Sequence, residues 1–361
     1  MEQNKKGRKK RKKGRIQGRR AAALMFAAII VITGILNLAV KDKLFLGKDF
    51  FMSVRASAGR LMGKQESNGV FKGKDNYLLA DIAVPEDKQL EENLEAMKVY
   101  REAYPKVTFY MMLVPDTANL LSEKLPSLAV TANQKEQFKR VQKGLGDGFV
   151  WVDVQKALEK HKDEAIYYHT DSRWTTLGAL YGYQELLKHM GIDASGQPEL
   201  KRYAVAGDFS GGLSQISGYE PGYREPVYIY SAKNPAEDTD IVVNYVEEQK
   251  KTAALYDSGK LEEKDKYKVF LGGDFPVVDI RTTADSTERL LIVKDSFANC
   301  LVPFLAPYYR EIVLVDPSIY KGTVAQVMEE YRITSVLFLY GGNTFMEDSS
   351  ISGVLADGKT E

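Results

Sequence analysis

The sequence predicts an α/β fold with a doubly wound, mostly parallel sheet, preceded by one N-terminal transmembrane helix. Three observations predict it. Short apolar runs, residues 107–114 and 290–293 foremost, stop abruptly at polar residues, as buried strands do where they reach the rim of a sheet. These runs alternate with amphipathic stretches of helical period, the pattern of strand-helix-strand crossovers. Residues 21–40 hold no charged side chain, and as a helix they rise about 30 Å, the thickness of a bilayer's hydrocarbon core.

The net charge of +1 on 361 residues conceals an asymmetry. Residues 1–20 carry 11 Lys or Arg against one acidic residue, net +10, which leaves −9 for the remainder. A basic flank directly before an apolar span orients it, with the N-terminus in the cytoplasm and the body outside the membrane. The rivals are a cleaved signal peptide, whose apolar region is shorter and ends in a small-x-small site, and a nucleic-acid-binding tail. No good cleavage site follows the span closely. The acidic body offers no dense basic surface for phosphates, so nucleic acid is excluded as its partner. Cys300 is the single cysteine, so an exported domain holds together on packing without an internal disulfide.

After the tail (1–20) and the signal anchor (21–40), residues 41–67 read as a juxtamembrane stalk, and the folded domain spans 68–361. Residues 68–79, NGVFKGKDNYLL, carry hairpin turn signals. A helix is expected at 86–104, a buried strand at 107–114 ending at Pro115 and Asp116, a polar helix at 131–143, a strand at 149–154 and a short helix at 154–161. Residues 165–174 read as a strand running into a turn, followed by a helix through Leu187. Residues 203–225 are rich in Gly and Ser and suggest a functional or covering loop. Residues 226–232 and 241–247 look like antiparallel strands flanking an acidic turn, and 251–268 like a solvated charged segment. The stretch of about 200–265 therefore reads as inserted loops. Strands at 290–293, 311–315 and 335–340 and a helix at 323–331 complete the α/β pattern.

The chemistry centres on residues 290–299, LLIVKDSFAN, where strand gives way to a sharp turn and short helix. Ser296 there sits at the C-terminal edge of a parallel sheet, where α/β folds bind ligands and helix N-H groups can hold an oxyanion. Asp295 or Ser296 serving only as a helix cap is the plain alternative. Acyl transfer from Ser296 needs a base and an orienting acid. The three histidines are His161, His169 and His189. The first and last lie in charged helix ends and read as surface residues. His169, two residues before Asp171, is either a bystander or a base. No metal-ligand spacing, P-loop or dinucleotide fingerprint is present, and no cofactor is expected.

At 167–187, YYHTDSRWTTLGALYGYQELL, the sequence resembles the signature of the DHHW family, which is related to alginate O-acetyltransferase accessory proteins and SGNH-type hydrolases. The hairpin motif at 68–79, the strand end at Asp116, the later long loop and KDSFAN follow in the family's order. The resemblance implies an SGNH-like fold and acetyl transfer to or from cell-surface polysaccharide, with a membrane-bound O-acyltransferase delivering the acetyl group. It makes Ser296 the nucleophile and Asp171 the acid of the triad, and matches Trp174 to the family's tryptophan. Where the family has two histidines this chain has Ser172 and Arg173, and arginine cannot accept a proton near neutral pH. Two expectations follow. Either His169 substitutes as the base, with Asn299 and Asn343 helping to hold the oxyanion, or the site is catalytically silent and binds a glycan through Arg173, Trp174, Asp116 and Asp295.

Overall fold

The computed structural model describes residues 65–220 and 222–356. The basic tail, the transmembrane anchor and most of the stalk read from the sequence lie outside these residues. Among the described residues no helix is long and apolar enough to cross a membrane.

The fold is mixed α/β. Its thirteen described strands run β1 Glu66–Ser67, β2 Val70–Lys72, β3 Leu78–Ala80, β4 Thr108–Val114, β5 Val150–Trp151, β6 Leu200–Phe209, β7 Glu225–Ala232, β8 Ile241–Tyr245, β9 Lys250–Thr252, β10 Val277–Thr282, β11 Arg289–Lys294, β12 Glu311–Val315 and β13 Ser335–Gly341. Eight form one sheet in the order β5-β4-β13-β11-β12-β10-β8-β9. The five strands from β5 to β12 are parallel, and β10, β8 and β9 extend that block antiparallel. β11 is central, with Leu290–Lys294 in register with Ser335–Leu339 of β13.

The continuous apolar runs of the sequence follow from burial of both sheet faces. Along β11, Leu290 and Ile292 enter one core with Leu337, Leu339, Ile312 and Leu314, under the Thr176–Met190 helix. Leu291 and Val293 point the other way, into a core with Val313, Val315, Val336 and Phe338. That second face is covered by the helices Asp87–Ala103, Gln134–Leu145 and Val324–Tyr331. The last of these opens with a full capping box between Thr323 and Gln326. Strands β1 to β3 form a separate small antiparallel sheet, with β2 and β3 as the hairpin read from residues 68–79.

The middle of the chain departs from the sequence reading. Strands β7 and β8 exist but do not pair with each other. β7 pairs with β6 in a two-stranded ribbon, and β8 joins the main sheet beside β10. The reading missed this because 200–209 looked like loop. All but the last residue of β6 lie largely outside the core, so no apolar alternation marks them as strand. The Gly- and Ser-rich stretch also contains a short helix, Gly212–Ser217. Residues 165–174 form an isolated bridge between Tyr167 and Trp174 instead of a strand. In the charged segment 251–268, Tyr267 is 1% exposed and belongs to the core, so that segment is not wholly solvated.

Packing around Trp174 explains the glycines of the signature. Trp174 is fully buried, and a Cβ on Gly178 would lie 2.4 Å from the Ile166 carbonyl oxygen and 3.1 Å from Trp174 Cβ. The first of these contacts is backbone and cannot swing aside. Gly178→Ala should therefore destabilise the protein by about 1–3 kcal/mol through overpacking. This occurs although alanine is favoured over glycine within a helix by roughly 1 kcal/mol. Urea unfolding checks it, and a stabilised variant would show that the bend after Trp174 yields easily.

Candidate active site

The C-terminal ends of the parallel strands gather the candidate residues on one rim. β11 ends at Lys294 and passes into Asp295 and Ser296, β4 into Asp116, and β13 into Gly342 and Asn343. Asp295 caps the single 3-10 turn Ser296–Ala298, accepting from Phe297 N at 2.9 Å and from Gly341 N at 2.9 Å. The capping role thus falls to Asp295, which leaves the partly exposed Ser296 hydroxyl out of it. Phe297 sits tight against Gly341, where an added Cβ would come within 2.4 Å of the ring.

The 167–174 segment lies against this turn. Trp174 Nε1 donates to Phe297 O at 2.9 Å. Arg173 grips Asp171 with two donors, Nε to Oδ1 at 2.7 Å and Nη2 to Oδ2 at 2.9 Å, and reaches Asp265 Oδ1 at 3.1 Å. Its guanidinium stands 3.8 Å above the ring of Tyr267, whose hydroxyl donates to Ser296 O at 3.3 Å. Asp171 also accepts from Gly212 N at 2.9 Å. Burial acts to raise the Asp171 carboxyl, but the Arg173 charge and the four donors override it and hold the group below the usual carboxylate range. Burial likewise works against the guanidinium, yet Asp171 and Asp265 hold it firmly protonated.

The histidines lie elsewhere. His169 is engaged by other residues: its Nδ1 meets Glu225 Oε2 at 2.9 Å and its ring stacks on Tyr77 at 4.0 Å. Glu225 Oε1 also accepts from His169 N at 2.7 Å, so one buried carboxylate holds both ends of the residue. His161 pairs with Glu164, and His189 bonds the Glu185 carbonyl. Among the described residues no imidazole is hydrogen-bonded to Ser296.

The two asparagines expected to hold an oxyanion are occupied in other bonds. Asn299 Nδ2 donates to Asp274 Oδ1 at 2.9 Å, while its Oδ1 is buried without a partner. Asn343 Nδ2 donates to Asp81 O at 2.6 Å, and its Oδ1 accepts from Ala83 N. Trp174 is fully buried and braces the serine turn from beneath, so it presents no surface to a ligand. Asp116 is buried as well, bonded to Gln134 Nε2 at 2.6 Å and Asn343 N at 2.7 Å. Cys300 is buried, and its thiol is pushed up to about 12 by that burial, which suits a packing residue.

Sequence reasoning did not single out Tyr267, Asp265, Asp274 or Glu225. The apolar YKVF at 267–270 within a charged stretch was a usable signal for Tyr267. Glu225 and Asp274 meet their partners across 56 and 20 residues, with no local pattern to announce them.

Two rim carboxyls are linked to pH. Burial pushes Asp116 up to about 6 and Asp295 up to about 7, against the amides and side chains that donate to them. The folded state then binds more protons than the unfolded one between pH 4 and 7, so their contribution to stability is complete below about pH 4 and is lost as pH rises through 6 and 7. Asp116→Asn keeps an oxygen for the Gln134 and Asn343 donors and removes that linkage. The loss of stability of this variant between pH 4.5 and 7, followed by denaturant unfolding, should be shallower than wild type by on the order of 2 kcal/mol. Parallel curves for the two proteins would refute the assignment.

The fold and rim can be set beside known proteins. A DHHW family protein from Eubacterium siraeum superposes with a TM-score of 0.66 at 20% identity, covering 80% of this chain and 95% of that one. Bacillus cereus PatB1, solved with a sulfonyl adduct, superposes with a TM-score of 0.64 at 23% identity, covering 78% and 96% respectively. Both likenesses are of fold. No curated protein matches the chain. The family described as DHHW protein matches residues 94–315, a span that holds Asp171, Trp174 and Ser296 and is more than half of the sequence. This chain belongs to the DHHW family.

Proposed function

We propose that the protein is a membrane-anchored, extracytoplasmic component of a cell-surface polysaccharide O-acetylation system, in which the serine rim binds glycan without turning over an acyl group. The observation that carries the second half is the bidentate Arg173–Asp171 pair. The residue aligned with the family's base is a guanidinium, which cannot take a proton from Ser296. The acid that would orient a base is consumed by it. Loss of a general base costs about 10²- to 10⁴-fold in rate. His169 as a substitute base finds no support in its contacts, since Glu225 takes its Nδ1, Tyr77 stacks on its ring, and no hydrogen bond joins it to Ser296 among the described residues.

The polysaccharide and the acetyl group come from the resemblance to alginate O-acetyltransferase accessory proteins, and so does a membrane-bound O-acyltransferase as partner. The basic tail and the uncharged span at 21–40 support the anchor and its orientation. In the silent reading Ser296 offers a hydroxyl at the rim, and the Arg173–Asp265 edge offers a polar wall, with no acyl-enzyme formed.

An ester assay on the full chain in detergent tests this. Wild type should not hydrolyse 4-nitrophenyl acetate above background and should not be labelled by phenylmethanesulfonyl fluoride. Arg173→His, which restores an imidazole beside Asp171, should gain at least 10²-fold turnover that disappears when Ser296→Ala is added. Ser296-dependent turnover by wild type would overturn the silent reading and establish a working enzyme.

A further inference from the structure

A second site lies apart from the serine rim. Along the Thr176–Met190 helix, roughly 16 Å of axis separates Thr176, near Trp174, from Leu187. Around Leu187 a cleft of about 910 Å³ opens between this helix, the β6–β7 ribbon and residues 303–308. That is ample for a small-molecule or oligosaccharide ligand. Its walls include Tyr183, Tyr230, Phe304 and Tyr308. Tyr183 stacks on Phe304 with centroids 5.2 Å apart, and the Tyr183 and Tyr308 hydroxyls bond each other at 2.6 Å. These two hydroxyls thus satisfy one another; Tyr183 and Phe304 are buried behind, and the partly exposed Tyr230 and Tyr308 contribute the ring surface open to a ligand.

The rim is acidic. Glu237 and Asp240 are exposed at its edge. Asp238 between them is committed to the turn, accepting from Ser231 Oγ at 2.9 Å and Ala232 N at 2.8 Å. The rim lysine, Lys188, is paired with Glu185 at 3.0 Å. An extended peptide would seek a free strand edge. On β7, however, the carbonyls of Tyr228 and Tyr230 already accept from Thr176 Oγ1 at 2.9 Å and Tyr256 OH at 2.7 Å.

We propose that this cleft binds an oligosaccharide bearing free amino groups. Pyranose rings lay apolar C-H faces on aromatic rings, and ammonium groups are drawn both to ring faces and to the Glu237 and Asp240 carboxylates. Polysaccharides carrying carboxylates are repelled by the same rim. The carbohydrate class rests on the function proposed above, whereas the amino preference rests on the cleft itself.

Calorimetric titration of the full chain with four probes tests the site: a glucosamine tetramer, a neutral cellotetraose, a galacturonate tetramer and tetralysine. The glucosamine tetramer should bind most tightly, at least tenfold better than the neutral one, and the galacturonate should not bind. Glu237→Gln with Asp240→Asn should reduce the glucosamine affinity to that of the neutral tetramer. Tyr308→Ala should weaken both about tenfold, while Tyr308→Phe, which keeps the ring, should retain them. Tetralysine binding as tightly as the glucosamine tetramer would reduce the site to bare charge attraction and overturn the proposal. Amino-sugar binding that survives the rim double variant but is lost in Arg173→His would overturn the cleft and leave the serine rim as the glycan site. Failure of all three sugar tetramers would overturn the cleft proposal, and the ester assay would still judge the serine rim separately.

Discussion

The buried contact between Arg173 and Asp171 is the knot to which the rim is tied. Asp171 accepts from Arg173 N, Arg173 Nε, Arg173 Nη2 and Gly212 N, and so joins its own loop to the short Gly212–Ser217 helix. The approach is so close that a Cβ on Gly211 would meet Asp171 Cβ at 2.3 Å. Through Arg173 the same carboxylate is coupled to Asp265 and to the ring of Tyr267, and through Tyr267 to the carbonyl of Ser296. Four segments distant in sequence meet on one ion pair. Removing one member of such a buried pair strands the other charge and costs about 3–5 kcal/mol, far more than a surface ion pair contributes. A histidine at 173 could hold Asp171 through one nitrogen, but it would release Asp265 and the face of Tyr267. The arginine therefore couples more of the rim than a histidine would.

Along the same rim, desolvation and charge pairing reach opposite outcomes at the buried carboxylates Asp171, Asp116 and Asp295. Asp171, which is buried, and Asp274, which is exposed, each have a cation in contact, Arg173 and Lys294 respectively, that holds them below the usual range. Asp116 and Asp295 have only neutral amide and side-chain donors, and burial prevails. Lys294, 1% exposed, is kept in the interior by Asp274 at 2.6 Å with Asp316 at 3.7 Å. Asp274 also takes the amide of Asn299, so the residue expected to serve an oxyanion instead joins this polar network through its Nδ2, while its Oδ1 is left without a partner. Such networks fix one arrangement of neighbouring turns, because any alternative leaves a polar group unpaired in a dry environment.

What the sequence made legible was what local pattern encodes. Strands β11, β12 and β13 are buried on both faces and therefore appear as unbroken apolar runs, and the polar residues that end them mark the rim. Arg173 was legible because its chemistry excludes a role. The ribbon of β6 and β7 was not, since β6 is largely exposed and its bulged register with β7 leaves no period-two signature. Nor was the orientation of His169. From sequence it stands two residues before Asp171 and looks available, and the residues that engage its ring, Glu225 and Tyr77, arrive from other segments. The same holds for Trp174, whose place in a signature motif suggested a ligand surface but whose indole is a buried strut between the Thr176–Met190 helix and the serine turn.

These placements bear on how much a motif proves. KDSFAN carries structural duties independent of catalysis: Lys294 and Asn299 share Asp274, Asp295 caps the turn and receives Gly341 N, Phe297 packs on Gly341, and Trp174 holds the Phe297 carbonyl. Five of its six residues would be retained for folding alone if the chemistry were lost, since Ala298 is also fully buried. Ser296 is the exception. It is the partly exposed member of the six, with a hydroxyl that no capping bond employs. Packing therefore explains the motif around the serine but not the serine itself. Its backbone is tied to Arg173 through Tyr267, whose ring lies under the guanidinium and whose hydroxyl donates to the Ser296 carbonyl, so the network that orders the turn leaves the serine side chain out.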